Sequence, residues 1–328
     1  MKALSRIVGL AAVAVVAGCE PIDGIDLGGG GTGGGAFSRG FVFVRGDSSS
    51  TRNVFAVDDS GDPNSPLQLT TQGGAFSPTV SRNGRQVAFV HRVGSVNELQ
   101  VVPTTGQGQP STVFSSTSTS ACSGCTNFRY PTFSPDGRTI VFTLDRSNAS
   151  TQLARVNADG TGFQLLPNSG GYFFGPTSFT ADGLGLIAAG SRYSKDQLEV
   201  LLYVNVLNGL ANVVAEVQGA DGTAQVVVSR VAVSPDGSKV AFDARTSSGS
   251  RIFVGTIDGQ QQVYDIKQVT GKLGVDDTYP SWRGNTELGF LSNEGGTDNI
   301  YRVSASSVRG SGNLVLVVPK AAEPSYGG

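Results

Sequence analysis

One phrase of twelve residues recurs along this chain at intervals of 44–54 residues, and a chain that repeats itself on that scale has few folds open to it. The clearest copy runs from Pro131 to Phe142 and carries Ser134-Pro135-Asp136-Gly137 at its centre. Pro78 to Phe89 and Val231 to Phe242 align with it without a gap. Phe179 to Ala188 is a shorter copy, and Phe37 to Phe43 and Tyr279 to Phe290 are degenerate ones. Their glycines fall at Gly40, Gly84, Gly137, Gly183, Gly237 and Gly284. Ser-Pro-Asp-Gly is turn chemistry: proline presets φ, the aspartate caps locally, and glycine takes the positive φ that ends the turn. Apolar, β-branched and aromatic residues flank the turn on both sides, so each phrase predicts a hairpin. A third apolar run follows each hairpin (Asn53–Val57, Glu98–Val102, Gln152–Val156, Glu199–Tyr203, Arg251–Val254, Asn299–Val303), then a Gly-bearing turn and a closing segment such as Pro66–Thr70 or Gln268–Thr270. Long amphipathic helical periods are absent. Four short strands per repeat and six repeats predict an all-β chain, a six-bladed β-propeller of four-stranded antiparallel blades.

The phrase resembles the WD-like repeat of the TolB-like propeller family, as do the Asn157-Ala158-Asp159-Gly160-Thr161-Gly162 turn and the closing Leu-x-Leu-Thr of Leu67–Thr70. The resemblance covers about residues 36–318. It implies the fold; blades of this kind serve in scaffolds, peptidase accessory domains and lyases alike, so it implies little about activity. TolB has an α/β domain ahead of its propeller, whereas here a tether takes that place, so the family's partner contacts are not carried over.

The first residues read as an address. Lys2 and Arg6 precede an apolar run from Ile7 to Ala17, then Gly18 and Cys19, the layout of a secretory signal. The run is too short to span a bilayer, which takes about 20 apolar residues. Val16-Ala17-Gly18-Cys19 resembles a bacterial lipobox, which implies cleavage after residue 18 and acylation of Cys19 (diacylglyceryl on the thiol, a palmitate-type chain on the amine). Glu20, in place of the aspartate that retains lipoproteins at the inner membrane of enteric bacteria, points to the outer membrane. Residues 19–35, rich in glycine from Gly28 on, form the lipidated tether. The domain reading is therefore 1–18 signal peptide, 19–35 tether, 36–320 propeller and 321–328 disordered tail. Ring closure is expected from Gly35–Ser38 as the first blade's innermost strand, with Asn313–Val318 at the outer edge of blade six.

Composition excludes some functions. Without Lys2 and Arg6 the chain keeps 22 basic and 26 acidic residues, a net charge near −4, with no basic tract for nucleic acid. Cys122-Ser123-Gly124-Cys125 is expected to form a structural disulfide between blades two and three, as suits an oxidising compartment; a zinc site would need two more ligands, and haem attachment a histidine where Thr126 stands. His91 is the only histidine. A Ser-His-Asp triad would have to use it, yet no Gly-x-Ser-x-Gly elbow occurs, and His91 reads as an ordinary strand-end residue. Asp58-Asp59-Ser60-Gly61-Asp62 starts like a calcium loop, but its glycine is one place early and the closing glutamate is missing, so it reads as a turn. Phe133, Phe142, Phe242, Phe290 and Trp282 hold equivalent repeat positions, which argues for packing. Asp276 and Asp277, at the start of blade six, are the candidates for a ligand or cation at one channel mouth.

The expected function is that of a non-enzymatic, protein-binding or scaffold lipoprotein of the cell envelope without a cofactor, its partner an envelope protein or peptide. Thr104–Asn127, Asn205–Ala224 and Gln260–Tyr279 are the longest predicted loops and the expected contact surfaces. The alternative is a carbohydrate- or ligand-binding protein or a metal-dependent enzyme using the channel mouth; ionisable side chains converging on the channel would favour it.

Overall fold

The structure, a computed structural model, describes residues 37–117, 122, 124–168, 171–217 and 226–328. The signal segment, Cys19 and the glycine-rich tether lie outside the described residues. The strands are β1 (Gly40–Arg45), β2 (Asn53–Asp58) and β3 (Leu67–Gln68) in blade one; β4 (Ala75–Val80), β5 (Gln86–Val93), β6 (Val96–Pro103) and β7 (Ser111–Ser115) in blade two; and β8 (Cys125–Phe133), β9 (Thr139–Arg146), β10 (Thr151–Asn157) and β11 (Gln164–Leu165) in blade three. Blade four holds β12 (Phe173–Phe179), β13 (Gly185–Ser191), β14 (Val200–Asn205) and β15 (Ala211–Glu216). Blade five holds β16 (Val227–Val233), β17 (Lys239–Thr246), β18 (Gly249–Ile257) and β19 (Val263–Gln268). Blade six holds β20 (Asp277–Arg283), β21 (Glu287–Ser292), β22 (Asn299–Ser304) and β23 (Val315–Val318), and β24 (Ala322–Gly327) follows.

Each sheet has four antiparallel strands, and the six innermost strands β24, β4, β8, β12, β16 and β20 touch in that order around a closed ring. This is the six-bladed propeller that the repeats predict. The repeated phrase does the expected work at each hairpin. In blade three Gly137 donates to the Ser134 carbonyl (2.8 Å), and the Asp136 carboxylate accepts from the Ser134 hydroxyl (2.5 Å) and the Arg138 amide (3.0 Å). The same bonds recur around Asp182 and Asp236, and Asn83 plays this part in blade two. Gly137 sits at φ 72°, a region that costs a side chain energy and glycine nothing. The phrase ends in phenylalanines that occupy one place in five blades, Phe43, Phe89, Phe142, Phe242 and Phe290, each 0% exposed. Truncating any of these to alanine is expected to cost about 3–5 kcal/mol, because the ring cannot collapse onto the void.

Blade one departs from the sequence reading. Its sheet order is β24-β1-β2-β3, so the innermost strand comes from the C-terminal end of the chain. Of residues 321–328, read as a disordered tail, Ala322–Gly327 form that strand, whereas Phe37 and Ser38 form none. Gly40 accordingly opens β1 instead of ending a turn. The outer strand of blade six lies where expected, at Val315–Val318. Edge pairing explains the outcome: without β24, β1 would expose a row of unpaired amides and carbonyls toward the channel. The seam is reinforced by side chains. Tyr326 packs edge-on against Phe41 (5.0 Å between centroids) and donates its hydroxyl to Asp59 (2.7 Å), which also pairs with Arg283 of β20 (3.3 Å). Phe41 in turn packs against Gly289 of β21, where an added Cβ would meet its ring at 2.3 Å.

The three predicted loops also differ from expectation. Thr104–Asn127, Asn205–Ala224 and Gln260–Tyr279 each contain the outermost strand of a blade (β7, β15 and β19), which pairs only on one side and therefore carries a weak apolar pattern. Deleting residues 322–328 is expected to lower Tm by roughly 10 °C or more, each kcal/mol being worth about 2–4 °C in a domain of this size. A thermal unfolding scan of the truncated chain beside the full one checks this; an unchanged Tm would show that the seam is dispensable.

Candidate functional site

The six innermost strands share a defect in their ladders. Each slips register against its neighbour near the middle, between Phe76 and Thr79, Arg129 and Thr132, Phe174 and Thr177, Val228 and Arg230, Thr278 and Ser281, and opposite Val42–Val44 in β24. Five of these bulges carry a proline, which has no amide to give the ladder. The residue ahead of the proline adopts positive φ at Ser77 (48°), Tyr130 (57°), Tyr279 (55°) and Glu323 (55°). Such backbones cost on the order of 1–3 kcal/mol each and persist only where the surroundings enforce them. The bulges bring Ser77, Tyr130, Pro176, Arg230, Tyr279 and Glu323, one from each blade, to the wall of the channel.

Arg230 is the centre of this girdle. Its guanidinium lies 3.9 Å from the centroid of the Tyr279 ring and 4.4 Å from that of Tyr130. Nη2 donates to the Tyr279 hydroxyl (2.6 Å) and Nη1 to the Ser229 carbonyl (2.7 Å). Two aromatic faces on one cation fix its orientation and offset part of its desolvation. Glu323, 7% exposed, is held elsewhere: one oxygen accepts from the Ser77 amide (2.6 Å) and the other pairs with Arg52 (3.1 Å). From this girdle a cavity of about 520 Å³ extends to the face that carries the hairpin turns. There Arg82 of blade two reaches across to blade five and donates to the Pro235 carbonyl (2.9 Å), strapping the mouth.

Behind Arg230, on the neighbouring strand, sits its register partner Asp243, 1% exposed and with one carboxylate oxygen free of any hydrogen bond among the described residues. Burial pushes its carboxyl up to about 7, against the opposing pull of the Arg230 charge and of the Tyr279 and Arg230 backbone amides. Burial likewise raises the Tyr279 phenol.

The residues singled out in the sequence fall elsewhere. Asp277, 2% exposed, opens β20 and lines a separate cavity between blades five and six, with Lys272 and Glu294. Burial raises its carboxyl, and the Ser292 and Thr270 hydroxyls draw it back. Asp276 accepts from the Ser250 amide (2.7 Å). Neither lines the channel: the bulge two residues on turns Tyr279 inward instead. His91 is buried in a polar cluster with Glu98 and Gln100. Asp58 is saturated by Ser38, Arg39 and Ser60 donors, which hold its carboxyl well below the usual range despite some burial, so that segment is a turn. Cys122 and Cys125 are bonded, with Cα atoms 5.7 Å apart. Phe142, Phe242 and Phe290 pack in the core; Trp282 ties blade six to blade five through the Ala232 carbonyl (2.8 Å), and it and Phe133 also border the cavity. No group of three or more His, Cys, Asp or Glu side chains is placed to hold a metal among the described residues. Sequence reasoning missed Arg230, Tyr130, Tyr279 and Glu323. Aligning the residue four places ahead of the first turn position in each repeat (Ser81, Ser134, Thr180, Ser234 and their equivalents) shows the signal: one arginine and one glutamate in a column otherwise filled by Ser, Tyr and Pro.

A closed ring of six blades around a polar, partly strapped channel defines the class of the molecule, and comparison with known proteins refines it. No family model and no curated protein matches the chain. Among solved structures it is similar to TolB from Acinetobacter baumannii, at 19% identity and a TM-score of 0.66, over 90% of this chain and 68% of that one. It is also similar to a chain of a nidogen/laminin complex (10% identity, TM-score 0.62, 88% and 98% covered) and to the periplasmic gluconolactonase PpgL of Pseudomonas aeruginosa (11%, 0.55, 88% and 99%). At these identities the likeness speaks to the fold alone: a six-bladed β-propeller similar to that of TolB.

The buried Asp243 carries a pH dependence. Its carboxyl holds a proton up to about pH 7 in the fold, but only to about pH 4 in the unfolded chain. The stabilisation from that extra proton is complete below about pH 4 and is lost as pH rises through about 7. Tm of the native chain is therefore expected to fall between pH 5 and 8 relative to that of Asp243→Asn, measured by thermal scans in matched buffers. Parallel curves would assign the proton to another group.

Proposed function

We propose that this chain is a lipid-anchored protein of the bacterial envelope whose propeller is a non-enzymatic protein-binding module, held at the outer membrane through Cys19. The observation that carries the binding role is on blade four. After the turn glycine of each hairpin the other blades place Arg85, Arg138, Ser238 and Asn285, but blade four places Leu184. In the second turn on the same face, between β14 and β15, it places Leu207 and Leu210 where blade three has Ala158 to Gly162. The three leucines are 56%, 68% and 50% exposed, and the Val206 amide bonds the Leu184 carbonyl (3.2 Å), which brings the two turns together. Three leucines exposed side by side on one turn face have the composition of a contact patch. The fold likeness to TolB and to a chain crystallised in a nidogen/laminin complex is in keeping with that role. The segment around Cys19 supports the anchor, and the net charge near −4 argues against nucleic acid as the partner.

Photo-crosslinkers at positions 184, 207 and 193 test this in cells, Tyr193 being an exposed side chain in the connection between β13 and β14 at the opposite face. One envelope protein is expected to be captured from positions 184 and 207 and not from 193. Leu207→Asp should weaken its binding at least tenfold, about 1.4 kcal/mol, with Tm unchanged because the side chain is exposed. Cys19→Ala should move the chain from the membrane fraction to the soluble one. Equal capture from both faces, or binding indifferent to Leu207→Asp, would overturn the docking role; retention of Cys19→Ala in the membrane fraction would overturn the lipid anchor.

A further inference from the structure

We propose that the central channel is a binding site for a small carboxylate, seated on Arg230 between Tyr130 and Tyr279. The charge of the wall sets the sign of the ligand. Three arginines, Arg39, Arg82 and Arg230, line the cavity against one acid, Glu323; Arg39 pairs with Asp59 (3.3 Å) and Glu323 with Arg52 (3.1 Å), which leaves Arg82 and Arg230 as the cations that set the sign. Arg230 has no ion-pair partner among the described residues. Two of its five N–H groups are used, on Tyr279 and Ser229, and the other three meet no acceptor among the described residues.

The hydroxyls lining the cavity have the same polarity. Ser178, Ser281 and Ser325 occupy one repeat position, and each accepts a backbone amide from the next blade: Val233 (3.0 Å), Tyr326 (2.8 Å) and Val80 (3.1 Å). None of the three donates to a protein acceptor among the described residues, so each has an O–H to give. A chamber furnished with spare donors and a net positive wall is complementary to an acceptor-rich anion. The chemistry selects a carboxylate over a phosphate. With one N–H each of Nη1 and Nη2 engaged, the remaining N–H groups of one guanidinium are enough for the two oxygens and single charge of a carboxylate, whereas a dianionic phosphate would bring twice that charge to the one cation of the girdle. About 520 Å³ is in the range of small-molecule sites. The Arg82 strap at the mouth favours a compact ligand over a bulky chain end.

The test uses the full mature chain and two arms of probes. The first arm is acetate, gluconate and galacturonate, with galactose and inorganic phosphate as the neutral and phosphate controls. The second is a tetrapeptide with a free C-terminal carboxylate beside its amidated form. Titration calorimetry and saturation-transfer NMR read binding. At least one of the carboxylates is expected to bind and to raise Tm, while galactose, phosphate and the amidated peptide do not. Binding confined to the first arm assigns a free acid as the source; binding confined to the free-ended peptide assigns a chain terminus. Arg230→Lys, which keeps the charge and loses the fork, should weaken binding at least tenfold. Arg82→Ala, at an exposed position away from the core, should change association and dissociation rates together and keeps the test valid if the Arg230 variant fails to fold. Leu207→Asp should leave carboxylate binding untouched, which separates this site from the blade-four patch. No binding by any carboxylate, or affinity that is unchanged in Arg230→Lys, would overturn the proposal.

Discussion

Everything in this molecule depends on one pairing, that of β24 with β1. A propeller blade buries its faces only against two neighbours, so five blades in an arc would leave two open flanks of apolar side chains. The last strand of the chain turns the arc into a ring by completing the first blade. Its side chains hold several elements at once: Tyr326 reaches Phe41 and Asp59, and Glu323 reaches Arg52 and the Ser77 amide. The seam lies among blades one, two and six, which is why so many polar contacts of long sequence separation gather there.

The rest of the ring combines a strict outer rule with a loose inner one. The hairpin turns repeat the same bonds in four blades because an Asp or Asn oxygen at that place accepts the turn amide that would otherwise lack a partner. The bulged positions of the inner strands obey no such constraint. Their side chains project from a strained backbone into a channel that the ring geometry keeps open, so each blade contributes a different group. Stability is thus assigned to the repeated positions and chemistry to the varied ones. Blade five alone supplies a cation at the girdle, and places Asp243 behind it where other blades have residues such as Val90, Thr143 and Ala189.

The blades were legible in the sequence because each hairpin has a local cause: Pro135, Asp136 and Gly137 dictate their turn whatever surrounds them. Ring closure was not, since nothing local distinguishes Ala322–Gly327 from a polar tail. Its likeness to the Tyr279-Pro280-Ser281-Trp282 stretch of blade six, in Glu323-Pro324-Ser325-Tyr326, lacks the following turn and second strand that made the other copies visible. Asp276 and Asp277 drew attention as adjacent carboxylates, yet whether a residue faces the channel is settled by a register slip at Tyr279, a feature of three-dimensional pairing. Arg230 stayed hidden for a related reason: it stands just ahead of the phrase, where the copies differ most.

The two ends of the propeller, Ser38 and Gly328, lie side by side on the turn face, and the first pair of the seam is Gly40 with Gly327. A pull on the N-terminal side of the domain therefore meets β1 in a peeling geometry, where the bonds to β24 break one after another and not all together. Every other blade is a continuous hairpin at its inner edge. Under tension along the segment that precedes residue 37, the load would reach this pairing before the other blades, ahead of the channel and the exposed leucines of blade four.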